Sequence, residues 1–495
     1  MQSKQEQTSL EQKRAIWNRI TNMTMLTDFY ELTMSNGFLE QGKAEAKACF
    51  DLFFRDVPEK GGYAIMAGVE QLIDYLENLK FSEADIAYLQ QFNFAPEFYE
   101  FLRNFRFSCD VWAVPEGMPI FPGEPIVRVI GPLIQAQMIE TMLLLTINHQ
   151  SLIATKSARI VSAAKGRSVM EFGARRAQGY DASVLGARAA YIAGVSGTSC
   201  TMASRMFGIP ALGTMAHSWI QSFADEYEAF KAYAEIYPDN CQLLVDTYDT
   251  LRSGIPNAIK VAKEVLLPQG KRLEAIRIDS GDLAYLTIKA RQMLDNAGLT
   301  DCQITVSNSI DEHLIRDLLD QGAQIDNFGV GERLITSKAE PVFGGVYKLS
   351  AIELDGEMTP RMKISENPEK ITNPGIKQIW RLYDKDTDFA LADVLTLEHE
   401  TIDDSKPLEI FDPNHTWKRK TLENFRAERI LQQIYRSGTL IYKLPTLDEV
   451  RSFCEQQLGT LWDSIKRHEN PQNYYVDLSQ ELWDLKHQML NLQRK

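Results

Sequence analysis

The middle third of the chain repeats one local pattern, in which a short apolar run ends in a polar or glycine-rich cluster and a helical stretch follows. Measured from His217 to Asp246, Asp279, Ser307 and Gly329, successive clusters lie 22 to 33 residues apart. That spacing is the length of a strand–loop–helix unit. A series of such units predicts a β/α barrel or an open parallel sheet, and we favour the barrel. In either fold the functional loops follow the carboxyl ends of the strands, where these polar clusters lie.

The rest of the chain is organised differently on the two sides of this region. The predicted strands at 48–54 and 110–113, an amphipathic helix at 69–79 and a long buried helix at 140–162 indicate a mixed N-terminal domain. A capping-box pattern at 446–449 begins one C-terminal helix. An apolar stripe marks another, formed by Leu482, Leu485, Met489 and Leu492.

We therefore predict an α/β protein with an irregular TIM-like β/α barrel, an α/β sandwich domain and a helical C-terminal region. Residues 1–20 form a polar, partly helical extension. The sandwich domain takes 21–165 and is completed by about 345–400. The barrel with the active site takes 166–345, and a largely helical region takes 401–495. A length of 495 residues fits two to four domains.

Composition limits the partners and the compartment. A net charge of −14 and a pI of about 5.2 argue against nucleic-acid binding, which needs a basic field. Phosphorylated metabolites remain possible, because single basic side chains and backbone N–H groups can bind them. The six cysteines form no closely spaced pair, and neither a signal peptide nor a membrane span is evident. We therefore expect a reduced, cytoplasmic protein without a membrane partner.

His217 is the first candidate for chemistry, because it follows a predicted strand and begins a helical stretch. A lone histidine is more often a core or capping residue, but its place on the predicted rim favours function. A neutral imidazole can act as a nucleophile when a carboxylate fixes its tautomer. Asp246 or Asp249, at the next strand end, could supply that carboxylate.

The segment 277–282 is the second candidate. Alternation places Arg277 and Asp279 on one face of the strand, and Asp279 with Asp282 would suit ribose hydroxyls or a hydrated Mg²⁺. An ordinary turn that caps a helix would have the same residue types.

Two further clusters on the predicted rim indicate anion binding. Gly329 and Gly331 could bring backbone N–H groups close to a phosphate beside the polar segment 307–309, although a GxG sequence is usually only a tight turn. Arg175 and Arg176 follow Phe172, and they could hold an anionic ligand whose ring stacks on that phenyl group. Adjacent arginines are otherwise most often solvated.

Six segments in the order found here resemble the nicotinate phosphoribosyltransferase family. They are LTDFYELTM at 26–34, FFR at 53–55, EFGARRAQG at 171–179, GTMAHS at 213–218, RIDSGD at 277–282 and GGVYKL at 344–349. The resemblance implies an enzyme of NAD biosynthesis that condenses nicotinate with 5-phosphoribosyl 1-diphosphate. It also implies ATP hydrolysis through a phosphohistidine, a requirement for Mg²⁺ that substrate phosphates would mainly hold, and a homodimer with shared sites.

Carried over by position, the resemblance implies a role for each matching residue. His217 would be phosphorylated and Asp246 would orient it. Phe172 would stack on the pyridine ring, and Tyr30 of the other subunit would cover its second face. Arg175 would hold the base and Asp279 the ribose hydroxyls. The phosphate and diphosphate groups would contact the remaining matches, namely Arg55, Arg277, Lys348, Ser309, Gly329 and Gly331.

Three alternatives stay open at this stage. Nicotinamide phosphoribosyltransferases resemble this chain, but they receive the amide on an acidic side chain, and the aligned stretch 197–199 ends in Ser199 without a carboxylate. A barrel that binds a sugar phosphate without ATP would not need a nucleophilic His217. A scaffold without catalytic activity would not need the intact set of His217, Asp246, Arg277 and Asp279.

Overall fold

The computed structural model describes residues 22–367 and 370–492, so the predicted extension at 1–20 lies outside the described residues. The strands, in chain order, are β1 (Lys47–Phe53), β2 (Ala64–Ile65), β3 (Asp110–Ala113), β4 (Pro119–Ile120), β5 (Val127–Pro132), β6 (Ser168–Glu171), β7 (Gly197–Thr198), β8 (Gln242–Leu244), β9 (Ala275–Ile278), β10 (Gln303–Ser307), β11 (Asn327–Val330), β12 (Val346–Leu354), β13 (Glu357–Pro360), β14 (Lys377–Asp384), β15 (Ala390–Leu397), β16 (Leu408–Phe411), β17 (Arg419–Leu422), β18 (Phe425–Arg429), β19 (Gln432–Arg436), β20 (Thr439–Leu440) and β21 (Val476–Leu478).

The α-helices of the described residues, in chain order, are α1 (Phe29–Glu40), α2 (Val69–Asn78), α3 (Glu83–Leu89), α4 (Pro96–Arg103), α5 (Leu133–Met138), α6 (Glu140–Ala163), α7 (Tyr180–Ile192), α8 (Thr201–Phe207), α9 (His217–Gln221), α10 (Glu226–Ile236), α11 (Ile255–Val261), α12 (Leu283–Asn296), α13 (Glu312–Asp320), α14 (Glu332–Ile335), α15 (Leu447–Gly459) and α16 (Gln480–Leu492).

Helix α6 is the longest of these and joins the two main parts of the molecule. It is buried along most of its length and packs against α2 of the N-terminal part and against α7 and α13 of the middle region. Its burial on several sides explains why the sequence there is apolar without a clean amphipathic stripe. The predicted long buried helix is therefore confirmed.

The N-terminal domain is built on a seven-stranded antiparallel sheet with the order β13-β12-β1-β5-β3-β19-β20. Within this sheet β1 pairs with β5 on one side and with β12 on the other. The segment that was predicted to complete this domain, about 345–400, divides between two sheets. Strands β12 and β13 join the seven-stranded sheet, whereas β14 and β15 pair with β18 and β21 in another.

The middle region forms a parallel sheet with the order β7-β6-β11-β10-β9-β8. Thr198 of β7 extends it by a parallel bridge to Ala211. The first strand of the series, β6, pairs with the last, β11, as in a barrel and unlike an open sheet that runs in one direction. Among the described residues no pairing joins the Ala211 segment to β8, so the ring is interrupted there.

The region from 401 onward mixes strands with helices. Strands β16 to β20 fill its first part, and β19 and β20 add to the edge of the N-terminal sheet next to β3. The two predicted helices are present as α15, which begins with a capping box at Thr446, and α16. The prediction of a largely helical region missed the strands, because they are short and rich in exposed charged residues.

No described helix combines the length and the apolar character that a bilayer span needs. All six cysteines are free, and five of them are buried.

Candidate functional site

The carboxyl ends of neighbouring parallel strands bring the predicted polar residues together. Asp246 follows β8, Asp279 follows β9, Ser307 ends β10 and Phe172 follows β6. Because these strands belong to one parallel sheet, in which β11 lies between β6 and β10, their carboxyl ends share an edge. Side chains separated by more than a hundred residues of sequence therefore line one site.

His217 is the first residue of helix α9, and its ring lies between two neighbours. Its Nδ1 atom is 3.1 Å from Oγ1 of Thr247, and its Nε2 atom is 4.0 Å from Oδ1 of Asp246. The histidine side chain is 40% exposed and that of Asp246 only 1%. One ring edge therefore faces a buried carboxylate while the side chain as a whole remains reachable from solvent.

Asp246 is held by groups that follow the next strand. Its Oδ2 atom accepts hydrogen bonds from the backbone N–H of Asp279, at 2.9 Å, and from the hydroxyl of Ser280, at 2.6 Å. Its Oδ1 atom is buried and has no hydrogen-bond partner among the described residues. Since a buried carboxylate oxygen without a partner is costly, this atom is available to an imidazole N–H or a bound ligand.

Arg277, Asp279 and Ser307 form a hydrogen-bonded group beside Phe172. Nε of Arg277 donates to Oγ of Ser307 at 2.9 Å, and Nη2 donates to Oδ1 of Asp279 at 3.2 Å. The Ser307 hydroxyl in turn donates to the same carboxylate oxygen. The guanidinium carbon of Arg277 lies 5.5 Å from the centre of the Phe172 ring, within the range of a cation–π contact.

Gly329 and Gly331 lie directly beneath Phe172. A Cβ atom on Gly329 would come within 2.6 Å of Cδ2 of the Phe172 ring, and one on Gly331 within 3.2 Å of the Phe172 carbonyl oxygen. In this structure the absence of side chains at these two glycines lets the ring and backbone of Phe172 pack closely against them. Their predicted contact with a phosphate stays a prediction.

The loop after β10 has an unusual backbone at two consecutive residues. Asn308 has a φ of 95° and Ser309 a φ of 46°, and both are exposed. Left-handed conformations at residues other than glycine cost on the order of 1–3 kcal/mol each and occur often at ligand-binding sites. The loop thus exposes the predicted phosphate-binding residue Ser309 in a strained turn.

Arg175 lies in a short turn after β6, with its side chain exposed. Ser199 is also exposed, and its N–H donates to the carbonyl oxygen of Glu171. The Glu171 side chain is buried, accepts from Oγ1 of Thr198 at 2.6 Å and from the N–H of Gly173, and burial raises its pKa. The carboxyl group of Glu171 thus points into the protein and is not offered to a ligand beside Ser199.

Tyr30 and Lys348 line one cavity of about 390 Å³ on the N-terminal domain. Glu140 lies between them, 3.7 Å from Nζ of Lys348, and burial together with this carboxylate raises the pKa of Tyr30. Lys348 also lines a second cavity, which contains Arg55. Among the described residues, no hydrogen bond, ion pair or ring contact joins Tyr30, Lys348 or Arg55 to the residues around Phe172.

Two predicted candidates have structural roles. Asp249 accepts hydrogen bonds from the backbone N–H groups of Leu251 and Arg252, and Asp282 accepts one from that of Tyr285. Each therefore caps a helical segment, which is the ordinary interpretation that competed with ligand binding. Thr247 is a neighbour of His217 that the sequence did not identify, because a threonine beside an aspartate has no distinctive spacing.

The carboxylates at this edge have the chemistry that a hydrated Mg²⁺ requires. The free Oδ1 atom of Asp246 and the partly exposed Asp279 are hard oxygen donors of the kind that Mg²⁺ prefers. Arginine, serine hydroxyl and backbone groups at the same edge suit phosphate oxygens. Fold and site together therefore indicate an α/β enzyme of the class that acts on phosphorylated small molecules, and the neighbouring His217 and Asp246 are its candidate catalytic residues.

Comparison with known proteins identifies the family. The nicotinate phosphoribosyltransferase (NAPRTase) N-terminal domain matches residues 25–148, the nicotinate phosphoribosyltransferase (NAPRTase) family matches 167–396, and the nicotinate phosphoribosyltransferase C-terminal domain matches 376–486. Together these matches cover most of the chain. The chain belongs to the nicotinate phosphoribosyltransferase family and is an enzyme of that type.

Individual relatives agree with this assignment. The chain is 46% identical to nicotinate phosphoribosyltransferase from Bacillus subtilis over 473 aligned residues. This alignment covers 95% of this chain and 96% of that protein. The crystal structure of human nicotinic acid phosphoribosyltransferase is similar with a TM-score of 0.83 and 31% identity, over 94% of this chain and 99% of that one. A nicotinate-nucleotide pyrophosphorylase from Pyrococcus furiosus, at 24% identity and a TM-score of 0.68 over 88% of this chain and 95% of that one, shows the same fold.

Proposed function

We propose that this chain condenses nicotinate with 5-phosphoribosyl 1-diphosphate, giving nicotinate mononucleotide and diphosphate, and that it couples this reaction to ATP hydrolysis through His217. Family membership supports the condensation. The single observation that supports the coupling is the position of His217, which is reachable from solvent and lies 4.0 Å from the free oxygen of Asp246.

In this proposal Asp246 accepts the Nε2–H of a neutral His217, so that the Nδ1 lone pair is the nucleophile. The Thr247 hydroxyl, 3.1 Å from Nδ1, then donates a hydrogen bond to Nδ1 and keeps the imidazole in this orientation until ATP binds. An Nδ1–P bond forms as the bond from the γ-phosphorus to the bridging oxygen breaks, and ADP leaves. Water later cleaves the N–P bond and releases inorganic phosphate, which restores the neutral imidazole.

Phe172 and the arginines account for the choice of an anionic aromatic substrate. The pyridine ring would stack on Phe172, whose orientation is limited by Gly329 beneath it and by Arg277 beside it. The exposed Arg175 is the proposed partner of the nicotinate carboxylate. Ser199 has no acidic group, and the Glu171 carboxylate already accepts hydrogen bonds from Thr198 and Gly173. A neutral amide therefore has no acidic acceptor here, so we expect nicotinate to be preferred over nicotinamide.

The remaining matched residues are proposed to bind ribose and phosphate groups. Asp279 would accept ribose hydroxyls, and Arg277 would contact a phosphate next to it. Ser309, Gly329 and Gly331 would offer backbone N–H groups to the 5′-phosphate. Mg²⁺ would be held mainly by substrate phosphates, with Asp246 and Asp279 as outer partners of its waters, and when bound it neutralises phosphate charge. The reduced cysteines support a cytoplasmic location.

We further propose a homodimer in which each site uses both subunits. Tyr30, Lys348 and Arg55 belong to the N-terminal domain and line cavities to which the residues around Phe172 do not contribute. Around Tyr30, the apolar side chains of Leu26, Phe29 and Met34 are 38–48% exposed. An exposed apolar patch of this kind is typical of a protein interface.

The experiment that tests this function measures product from nicotinate and 5-phosphoribosyl 1-diphosphate, with and without ATP, and with nicotinamide as the parallel substrate. We expect nicotinate mononucleotide, stimulation by ATP, and acid-labile ³²P on His217 after incubation with γ-labelled ATP. Product without ATP stimulation or labelling would favour a barrel without ATP coupling. A comparable kcat/KM for nicotinamide would contradict the proposed specificity.

A further inference from the structure

The cavity that contains Arg55 is also lined by the C-terminal helix α16. It has a volume of about 290 Å³ and lies between strand β1, strand β12, the segment before β14 and α16. Its charged lining consists of four basic and two acidic side chains, Arg55, Lys348, Lys377, Lys486, Asp51 and Asp56. The excess of positive charge in a concave site favours an anionic ligand.

The basic residues of this cavity differ in whether their donors are already used. Lys377 is buried and its ammonium group is saturated, because it donates to the carbonyl oxygens of Asn373 and Gly375, both at 2.8 Å, and pairs with Asp51 at 2.7 Å. A lysine has three donors, so nothing remains for a ligand. Lys377 is therefore part of the wall.

Arg55 has no such partners. Among the described residues its guanidinium makes neither a hydrogen bond nor an ion pair, and its Nε atom is buried. Its one described contact is with the Phe53 ring, at 5.7 Å. A buried guanidinium donor without an acceptor is unfavourable unless a ligand supplies one.

Lys486 resembles Arg55 in this respect. It is half-buried in the middle of α16, and in the described residues its ammonium makes one hydrogen bond, to the neutral amide oxygen Oδ1 of Asn373 at 2.8 Å. Two of its three donors are left. Burial, and after it the charge of Lys377, lowers the pKa of Lys486. An anion in the cavity would relieve both effects.

We infer that Lys486 of the C-terminal helix binds, together with Arg55, the diphosphate group that takes part in the reaction. The inference rests on the proposed function, in which Arg55 and Lys348 contact phosphates, and it extends the site to a domain that had no assigned role. Continuity supports it: Lys348 lines both this cavity and the one that contains Tyr30. A ligand whose ring lies near Tyr30 can therefore place its phosphates between Arg55 and Lys486.

The diphosphate could come from 5-phosphoribosyl 1-diphosphate and its product, or from the β- and γ-phosphates of ATP. Both have the same chemistry, and separate KM measurements for the two substrates distinguish them. A rise in the KM of one substrate alone identifies that substrate as the source.

The test begins with calorimetric titration of the full-length enzyme with inorganic diphosphate. We expect Lys486→Met to weaken binding about tenfold or more, since a charge-assisted contact is lost. Lys486→Arg should retain most of the affinity. Lys406→Met removes an exposed lysine of the same region, paired with Asp403 at 2.7 Å, and should leave binding unchanged. Unchanged diphosphate affinity in Lys486→Met would overturn the inference, whether or not the midpoint of thermal unfolding falls.

A second measurement needs no variant and no turnover. Wild-type enzyme is treated with a lysine-acetylating reagent, with and without inorganic diphosphate, and the modification of Lys486 and Lys406 is followed by mass spectrometry. We expect diphosphate to slow labelling of Lys486 several-fold and to leave that of Lys406 unchanged. Equal labelling of Lys486 in both conditions overturns the inference. Failure of ATP coupling in the activity assay would instead contradict the proposed function without changing this result.

Discussion

Nε2 of His217 lies 4.0 Å from Oδ1 of Asp246, a buried carboxylate oxygen that has no other partner among the described residues. The distance is longer than a hydrogen bond, yet the carboxylate cannot move away easily, because Oδ2 is fixed by Asp279 and Ser280. A small rotation of the imidazole would close the gap. The pair is thus arranged to fix the tautomer of the ring once a ligand orders the site.

The first prediction concerns the histidine itself. His217→Ala should abolish phosphorylation and ATP hydrolysis, because the nucleophile is gone, and it should leave some condensation without ATP, because the substrate contacts remain. Phosphate release from ATP and acid-labile ³²P on the protein are the measurements. His399→Ala is the control, since His399 is an exposed histidine paired with Glu481 far along the chain. ATP hydrolysis at the wild-type rate in His217→Ala would show that another group accepts the phosphate.

The second prediction separates charge from shape at Asp246. Asp246→Asn keeps the size of the side chain and an oxygen for Asp279 and Ser280, but it cannot stabilise a cationic ring, and its NH₂ group cannot accept the Nε2–H of the reactive tautomer. We expect the rate of His217 phosphorylation to fall on the order of 10²-fold or more, as for other carboxylates that orient a catalytic histidine. Rapid-quench measurement of ³²P incorporation tests this. Loss of thermal stability with an unchanged phosphorylation rate would assign Asp246 a structural role only.

Much of the site could be predicted from sequence, because parallel strands impose their own geometry. Once the apolar runs before Asp246, Asp279 and Ser307 were recognised as neighbouring strands, their following residues had to share an edge. The structure has β8 and β9 just before Asp246 and Asp279, and β10 ending at Ser307, as the repeated pattern predicts.

The remainder could not be predicted, for physical reasons. An aspartate that caps a helix and one that binds a ligand have the same local sequence, so Asp249 and Asp282 could not be separated from Asp279. The packing of Gly329 against Phe172 links strands that are more than 150 residues apart in sequence. Likewise β19 joins β3 over more than 300 residues, and no local pattern records that pairing.

The third prediction tests the support beneath the pyridine ring. In Gly329→Ala the new Cβ atom would meet the Phe172 ring at 2.6 Å, so the ring must shift. Overpacking of this kind costs about 1–3 kcal/mol. We expect the KM for nicotinate to rise several-fold with a smaller change in kcat. Gly37→Ala is the control, because nothing lies within 4 Å of a Cβ atom there. An unchanged KM would mean that Phe172 does not contact the base.

The fourth prediction is a pH dependence of stability. Burial raises the pKa of Glu31 from 4.5 to about 7, against the hydrogen bonds from Thr27 and Thr141, which lower it. A carboxyl group with a raised pKa in the folded state binds its proton more tightly there than in the unfolded chain. Its contribution to stability is therefore full below about pH 4.5 and is lost as the pH rises through about 7.

Glu31→Gln imitates the protonated form, so it should stabilise the protein relative to wild type at pH 8 more than at pH 5. Thermal unfolding at both pH values measures this difference. Glu40→Gln, at the exposed end of the same helix, is the matched control and should show no such trend. If the difference in unfolding midpoint between wild type and Glu31→Gln is the same at pH 5 and pH 8, Glu31 is ionised in the folded protein at both pH values.

The fifth prediction tests whether two subunits share each site. Tyr30 lies beside Lys348 and Glu140 on the N-terminal domain, apart from Phe172, and it is 43% exposed. In the proposed dimer it covers the second face of a pyridine ring held by the partner. The lost stacking in Tyr30→Ala is worth roughly 0.5–1.5 kcal/mol beyond burial, enough to raise the KM for nicotinate several-fold without unfolding the protein.

Mixing Tyr30→Ala with His217→Ala and allowing the subunits to exchange makes the test decisive. If the site is shared, each heterodimer contains one site with both lesions and one with neither. ATP-coupled activity at low nicotinate should then return toward half the wild-type value per heterodimer. Native mass spectrometry measures the exchange, and a mixture of His217→Ala with Asp246→Asn is the control, because both changes fall in the same half-site and no intact site can form. If exchange is complete and activity does not return, Tyr30 serves its own subunit, and the shared-site arrangement must be abandoned.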